Sequence, residues 1–117
     1  MPVIDRNILQ PLVDLSRECG EDILGSAIRA FLEDAPPRIE ALGQDLENPD
    51  AKTIERHAHT LKSSAATLGA MGLRDQCRDL EDAASIGNLG GAAERIQAIQ
   101  DEYAKVSREL QAILDGE

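Results

Sequence analysis

Both histidines of the chain, His57 and His59, lie in residues 55–69, the stretch richest in groups that can do chemistry. On a helical wheel at about 100° per residue, with Ile54 at zero, the apolar stripe falls within about 40° of zero. His57 falls near about −60°, at the edge of this stripe, and His59 falls near about 140°. The pattern predicts a half-packed histidine at position 57 and a histidine well off the core at position 59.

The neighbours of His59 favour an anion or a macromolecular partner, although a plain surface histidine remains the alternative. Lys62, at i+3, can reach an anion held on the imidazole ring. Ser63 and Ala66, at i+4 and i+7, are small, so a partner can approach the ring closely. Residues 51–78 carry a net charge of +3 in a chain of net charge −10. This local excess suggests an anionic ligand or an acidic partner surface, with ordinary scatter of charge as the alternative.

Other chemistries fail on the spacing of their residues. A di-iron bundle needs Glu-x-x-His on two helices, whereas Glu55 and His59 are four residues apart and no second copy exists. His57 and His59 point about 160° apart on the wheel, so they cannot chelate one metal ion. The sequence has no G-x-x-x-x-G-K-[ST] phosphate loop and no recognisable Ser or Cys nucleophile motif. We therefore expect neither ATP binding nor self-phosphorylation, and no metal or cofactor of the chain's own.

Composition predicts that these residues are positioned by helices. The chain has 16 Ala and 14 Leu but only 3 Val, 3 Thr and 2 aromatic residues, whereas strands favour β-branched and aromatic side chains. A length of 117 residues predicts one domain over residues 1–117. The charge of −10 argues against nucleic acid as a partner, and the short apolar stretches argue against a membrane span. Cys19 and Cys77, without a metal-type cluster, indicate reduced thiols in a cytoplasmic protein.

The first predicted helix covers about residues 5–18. Asp5 is suited to cap its start, and Gly20 lies where a left-handed residue closes a helix. Pro11 removes one backbone hydrogen bond, so we expect a late start or a kink there. The apolar stripe of this helix is Ile8, Leu12 and Leu15.

Four longer helices are predicted after it. The second runs from about residues 21–22 to about residue 46 as one kinked helix through Pro36 and Pro37, with two helices broken at the prolines as the alternative. Asp50 caps the third, residues 69–72 separate it from the fourth, and residues 87–91 form the loop before the last. Apolar positions alternate by four and three along these helices. The fold class is therefore all-α, an antiparallel up-down four-helix bundle with an additional short N-terminal helix.

These residues resemble the histidine-containing phosphotransfer (HPt) domain of bacterial and fungal phosphorelays. The resemblance covers nearly the whole chain, including the leading helix and the long last one. The positions that carry it are Ala58-His59-Thr60-Leu61-Lys62, Gly69-Ala70, Leu73, Cys77 and Leu80-Glu81.

The resemblance implies a role for several residues. His59 is the phosphorylated residue, Lys62 stabilises the phosphoryl group, and Glu81 lies near the ring and orients it. The wheel places Glu81 on one flank of its helix, but the handedness of the hairpin decides whether that flank meets His59. The family usually has Gly directly after the lysine, and this chain has Ser63.

The resemblance also implies partners and a mechanism. A receiver domain carries an aspartyl phosphate chelated with Mg²⁺, and neutral His59 attacks it through the ring nitrogen farther from the backbone. The phosphohistidine then passes its phosphoryl group to a second receiver. The implied partners are receiver domains of response regulators or of a hybrid sensor histidine kinase. The chain, expected to be a monomer, is then a covalent carrier and not a stand-alone enzyme; the alternative is a helical adaptor that docks receivers without carrying phosphate.

Overall fold

The computed structural model describes residues 2–44, 46 and 48–116, and within these ranges the regular structure is entirely α-helical. α2 to α5 form a ring in which α2 contacts α3 and α5, and α4 contacts α3 and α5, while α1 packs on α2. The predicted fold class is confirmed. The described part measures 47 × 24 × 21 Å, and in it no helix is both long enough and apolar enough to cross a membrane. The helices are α1 (Arg6–Cys19), α2 (Ile23–Gln44), α3 (Ala51–Thr67), α4 (Met71–Ser85) and α5 (Ala92–Leu114).

The predicted caps of α1 and α3 are confirmed. The Asp5 carboxylate accepts a hydrogen bond from the Asn7 N–H (3.1 Å), and the Asp50 carboxylate accepts one from the Lys52 N–H (3.2 Å). Gly20 closes α1 in the left-handed conformation, with φ of 72°, as expected of a glycine at that position. These ends are fixed by short-range bonds between a side chain and the nearby backbone.

The prolines neither delay nor divide the helices. α1 begins at Arg6, so a late start caused by Pro11 was wrong, and α2 continues through Pro36 and Pro37, so the alternative of two helices was wrong as well. All three prolines are exposed, so the backbone carbonyls that lose a partner lie on the side of water. The opposite face of α2 stays in the core through Ala35, which is fully buried.

The buried face of α1 differs from the predicted stripe. Leu9 is 3% exposed and lies in the core, whereas Leu15, expected inside, is 46% exposed. Since α1 packs mainly on α2, its buried face is narrow and is set by the angle between the two helices. Hydrophobic spacing along α1 could not provide that angle.

One continuous aliphatic core supports the long helices. Burial of each Leu or Ile contributes about 1.5–3 kcal/mol, and the two aromatic rings, Phe31 and Tyr103, meet at its edge with centroids 5.7 Å apart. This core fixes which face of α3 points outward. Its largest fully buried side chains are Ile28, Leu42, Ile54, Leu61, Leu68, Leu73, Leu80, Ile96, Ile99, Val106 and Leu110.

A serine of α1 caps the next helix, which the sequence pattern did not reveal. The Ser16 hydroxyl accepts hydrogen bonds from the N–H groups of Ile23 (3.0 Å) and Leu24 (3.2 Å), and it donates to the Leu12 carbonyl (2.8 Å). The first N–H groups of a helix have no partner within the helix, so this hydroxyl satisfies two of them. It thereby fixes the corner between α1 and α2.

Residues 3–5 form an N-terminal strap across one end of the bundle. The Asp5 N–H donates to the Gly69 carbonyl (2.8 Å), and the Val3 N–H donates to Glu109 Oε1 (2.9 Å). Ile4 between them is 4% exposed. The strap therefore joins α5 to the turn between α3 and α4. That turn is shorter than predicted, because α4 already begins at Met71.

Gly69 provides a test of the strap. A Cβ at this position would lie 2.5 Å from the Asp5 carbonyl oxygen, and φ is 77°. We expect Gly69→Ala to lower the free energy of unfolding, measured in urea, through two contributions. A residue with a Cβ in the left-handed backbone conformation costs about 1–2 kcal/mol, and displacement of the strap by the new methyl group costs about 2 kcal/mol more. Gly20→Ala is the matched control, since its φ is 72° but no atom lies within 4 Å of the added Cβ. Equal losses in the two variants would contradict a tightly packed strap.

Candidate functional site

His59 lies at the middle of α3 with its ring directed away from the core. Its side chain is 61% exposed, as the wheel predicts. His57 is half-buried on another side of the helix, where its Nδ1 lies 3.3 Å from Arg38 Nη1 of α2. The two histidines therefore occupy separate environments, and only His59 offers an accessible ring.

Glu81 of α4 contacts the His59 ring. Its Oε2 lies 2.7 Å from His59 Nδ1, so the structure settles the handedness that the sequence left open. The two arginines that share a flank with Glu81 are paired within their own helix. Arg74 Nη2 lies 2.7 Å from Asp75 Oδ1, and Arg78 lies within 3.7 Å of carboxylates of the same helix.

The second oxygen of Glu81 pairs with Lys62. Lys62 Nζ lies 2.5 Å from Glu81 Oε1, and the Glu81 side chain is 16% exposed. Burial acts to raise the pKa of this carboxyl, but the contacts with Lys62 and His59 outweigh it, so the pKa lies below its usual value. Glu81 is therefore ionised at neutral pH. The stability it adds is present above the usual carboxyl pKa and is lost as the pH falls through the lowered one.

An ionised carboxylate fixes the tautomer of His59. Because a carboxylate can only accept hydrogen bonds, the 2.7 Å contact places a proton on Nδ1 of the ring. In the neutral imidazole the lone pair is then on Nε2, at the exposed end of the side chain. This arrangement leaves the unprotonated, nucleophilic nitrogen on the exposed side of the ring.

The remaining predicted site residues are distributed along α3. Ser63, at i+4 from His59, is exposed, and its carbonyl accepts the Thr67 hydroxyl (3.0 Å). Ala66 is half-buried, so the surface beyond Ser63 is shallow. Gly69 lies about 15 Å further along the helix direction and packs on the N-terminal strap, so its role is structural and not at the imidazole.

A groove on the α2 side of α3 was not foreseen from the sequence. It has a volume of about 290 Å³ and lies between helices, and its lining mixes small and apolar residues with one acid. Only the packing of two helices creates such a groove, so spacing within one helix gave no signal for it. The lining residues are Ala27, Ala30, Phe31, Asp34, Ser64, Thr67 and Leu68.

Known proteins resemble this chain in sequence. The Hpt domain model matches residues 26–109. Histidine-containing phosphotransfer protein 5 of Arabidopsis thaliana is 25% identical over 114 residues, which cover 95% of this chain and 73% of that protein. Pseudo histidine-containing phosphotransfer protein 1 of Oryza sativa subsp. japonica is 23% identical over 101 residues, 85% of this chain and 54% of that protein.

A solved structure agrees in fold. The crystal structure of histidine-containing phosphotransfer protein B (HptB) from Pseudomonas aeruginosa PAO1 superposes with a TM-score of 0.84, at 24% identity, and the match covers 97% of this chain and 96% of that one. The match to the Hpt domain model covers more than half of the sequence. The chain therefore belongs to the Hpt domain family.

The tautomer of His59 can be measured directly. In the wild type we expect the neutral ring to carry its proton on Nδ1, as read from ¹⁵N–¹H correlations of the ring nitrogens. Glu81→Gln should give a mixture of tautomers, because an amide can either donate to Nδ1 or accept from it. Glu55→Gln is the control, since it removes a carboxylate one turn from His59 without touching this contact. A wild-type ring protonated on Nε2, or an equal change in the control, would contradict the geometry.

Proposed function

We propose that the chain is a phosphorelay carrier in which His59 receives a phosphoryl group from the aspartyl phosphate of one receiver domain and passes it to another. The observation that supports this is the His59 ring itself, exposed at its Nε2 end and held at Nδ1 by Glu81. A histidine with no chemical role has no need of a half-buried carboxylate that holds one of its ring nitrogens. Membership of the Hpt domain family supports the same function.

The proposed step is an in-line displacement at phosphorus. The Nε2 lone pair forms the N–P bond while the bond between phosphorus and the aspartyl oxygen breaks, and the leaving carboxylate takes that electron pair. The proton on Nδ1 stays in the hydrogen bond to Glu81, whose negative charge offsets the positive charge that develops on the ring. Transition states of this kind are loose, so positioning and charge neutralisation provide most of the catalysis.

Lys62 is the cation placed to stabilise the transferred group. It lies one turn after His59 and already contacts Glu81, so a modest rotation of its side chain brings the ammonium to a phosphoryl group on Nε2. We propose that Mg²⁺ and the phosphate-bearing aspartate are supplied by the receiver domain, of a response regulator or a hybrid sensor histidine kinase. The chain then acts as a carrier and not as a kinase.

The state of the two cysteines bears on the cellular compartment of the protein. Cys19 is exposed and Cys77 is buried, and both are free thiols. Burial raises the pKa of Cys77 to about 12, with the Glu81 charge as a further cause, so this thiol stays protonated beneath the site. Free cysteines accord with a reducing compartment, and we propose the cytoplasm.

A second candidate function is docking of receivers without phosphate transfer. One relative has "pseudo" in its name, so similarity over the length of the chain does not by itself select the carrier. The contact between His59 and Glu81 favours the carrier, because an adaptor needs no fixed tautomer. Transfer of label to the protein separates the two functions.

Substitution of the two histidines tests the proposal. After incubation with a ³²P-labelled receiver domain, wild-type protein should carry label that is labile to acid and stable to alkali, as expected of phosphohistidine. His59→Gln should abolish this label without loss of helicity, since the side chain lies outside the core. His57→Gln should keep the label, with at most a modest loss of stability. Loss of label in the His57 variant alone would overturn the assignment.

Lys62→Ala tests the phosphate-stabilising role. We expect slower transfer and a phosphohistidine half-life shortened by about five- to tenfold, because one charge-assisted contact with the phosphoryl group is lost. Binding to the unphosphorylated receiver should change less. Lys105→Ala on the exposed face of α5 is the control. Equal losses of binding and of transfer would make Lys62 a docking residue instead.

A further inference from the structure

The cations near His59 differ in whether they already form ion pairs with carboxylates of the same chain. Lys62 contacts Glu81, Arg74 contacts Asp75, and Arg78 lies 3.6 Å from Asp75. These charges on the Lys62 side of His59 are largely neutralised by carboxylates of the chain itself. A partner that approached them would have to break existing pairs.

Lys52 and Arg56 are different. Both are exposed, and over residues 2–44, 46 and 48–116 neither has a carboxylate within 4 Å. They precede His59 by seven and three residues, so they share its outward face, within about 20° and about 60° of it on the wheel. Arg56 therefore lies one helical turn before His59, whereas Lys62 lies one turn after it, and Arg56 has no carboxylate partner among the described residues.

Asp50 and Glu55 are the acids close to Arg56 along α3, and Asp50 attracts Arg56 at longer range without a direct ion pair. Asp50 is occupied as the cap of α3, where the Thr53 hydroxyl donates to it (2.8 Å), and Glu55 is half-buried on the flank towards α4. Arg56 is thus an exposed cation on the first half of α3 that has no direct carboxylate partner in the part of the chain that the structure describes. The guanidinium group binds a carboxylate through two parallel hydrogen bonds, which fixes orientation as well as adding attraction.

We propose that Arg56, assisted by Lys52, binds a carboxylate on the receiver domain and so orients the receiver over the first half of α3. This inference rests on the proposed function, because the partner presents an anionic aspartyl phosphate to His59. An acidic partner is repelled by most of a chain whose net charge is −10 and is attracted at this face. Arg56 is then a positioning residue that governs encounter, and the chemistry stays with His59 and Lys62.

Charge reversal with a matched control tests Arg56. Arg56→Glu and Arg108→Glu both shift the net charge by the same amount, and Arg108 is an exposed arginine of α5, which lies across the bundle from α3. With a phosphorylated receiver at about 0.05 M salt, we expect Arg56→Glu to lower kcat/KM about tenfold, mainly through KM, and Arg108→Glu to change it less than about twofold. The difference should shrink at about 0.5 M salt. Arg56→Lys should recover only part of the loss.

A small phosphodonor separates docking from chemistry. Phosphoramidate can phosphorylate the His59 ring without a receiver, and its rate should be the same in wild type, Arg56→Glu and Arg108→Glu. Equal effects of the two charge reversals on receiver transfer would overturn the role of Arg56, as would a loss of kcat or of the phosphoramidate reaction in Arg56→Glu. A wild-type protein that forms no phosphohistidine with either donor would instead overturn the proposed function.

Discussion

The site depends on one carboxylate that serves two side chains of a neighbouring helix. Glu81 holds His59 through one oxygen and Lys62 through the other, and so links α3 to α4 at the level of the imidazole. Its position is set by the core beneath it, where Leu80 is fully buried. Small side chains such as Ala58, also fully buried, allow the two helices to approach closely. A shift of α4 by one residue would turn the carboxylate about 100° away from both partners.

The aliphatic core explains how so few aromatic residues suffice. Leucine and isoleucine side chains from α2 to α5 belong to one buried cluster, and neighbouring helices of the ring contact each other. Capping bonds from Asp5, Ser16 and Asp50 then fix where α1, α2 and α3 begin. The outer face of α3 contributes little to this core, so packing places few constraints on its side chains.

Local features could be predicted from the sequence, and features that depend on two helices could not. The cap at Asp50 and the outward face of His59 follow from spacing within a few residues. The bridge from Ser16 to α2 and the exposure of Leu15 depend on how helices cross. The contact of Glu81 with His59 depends on it too, and the family resemblance indicated that contact where the helical wheel could not. The late start that Pro11 suggested for α1 was wrong for a related reason, since the cost of a proline depends on whether the carbonyl it leaves unpaired reaches water.

The N-terminal strap also bears on how this bundle can be joined to other parts of a protein. Val3 and Asp5 are bonded at the end of the bundle where α3 passes into α4, about 15 Å along α3 from His59. A tether attached ahead of Val3 would therefore start from that end of the bundle. A tethered receiver would reach His59 from a fixed anchor, at an effective concentration set by linker length, while a free receiver could still approach the open face of α3.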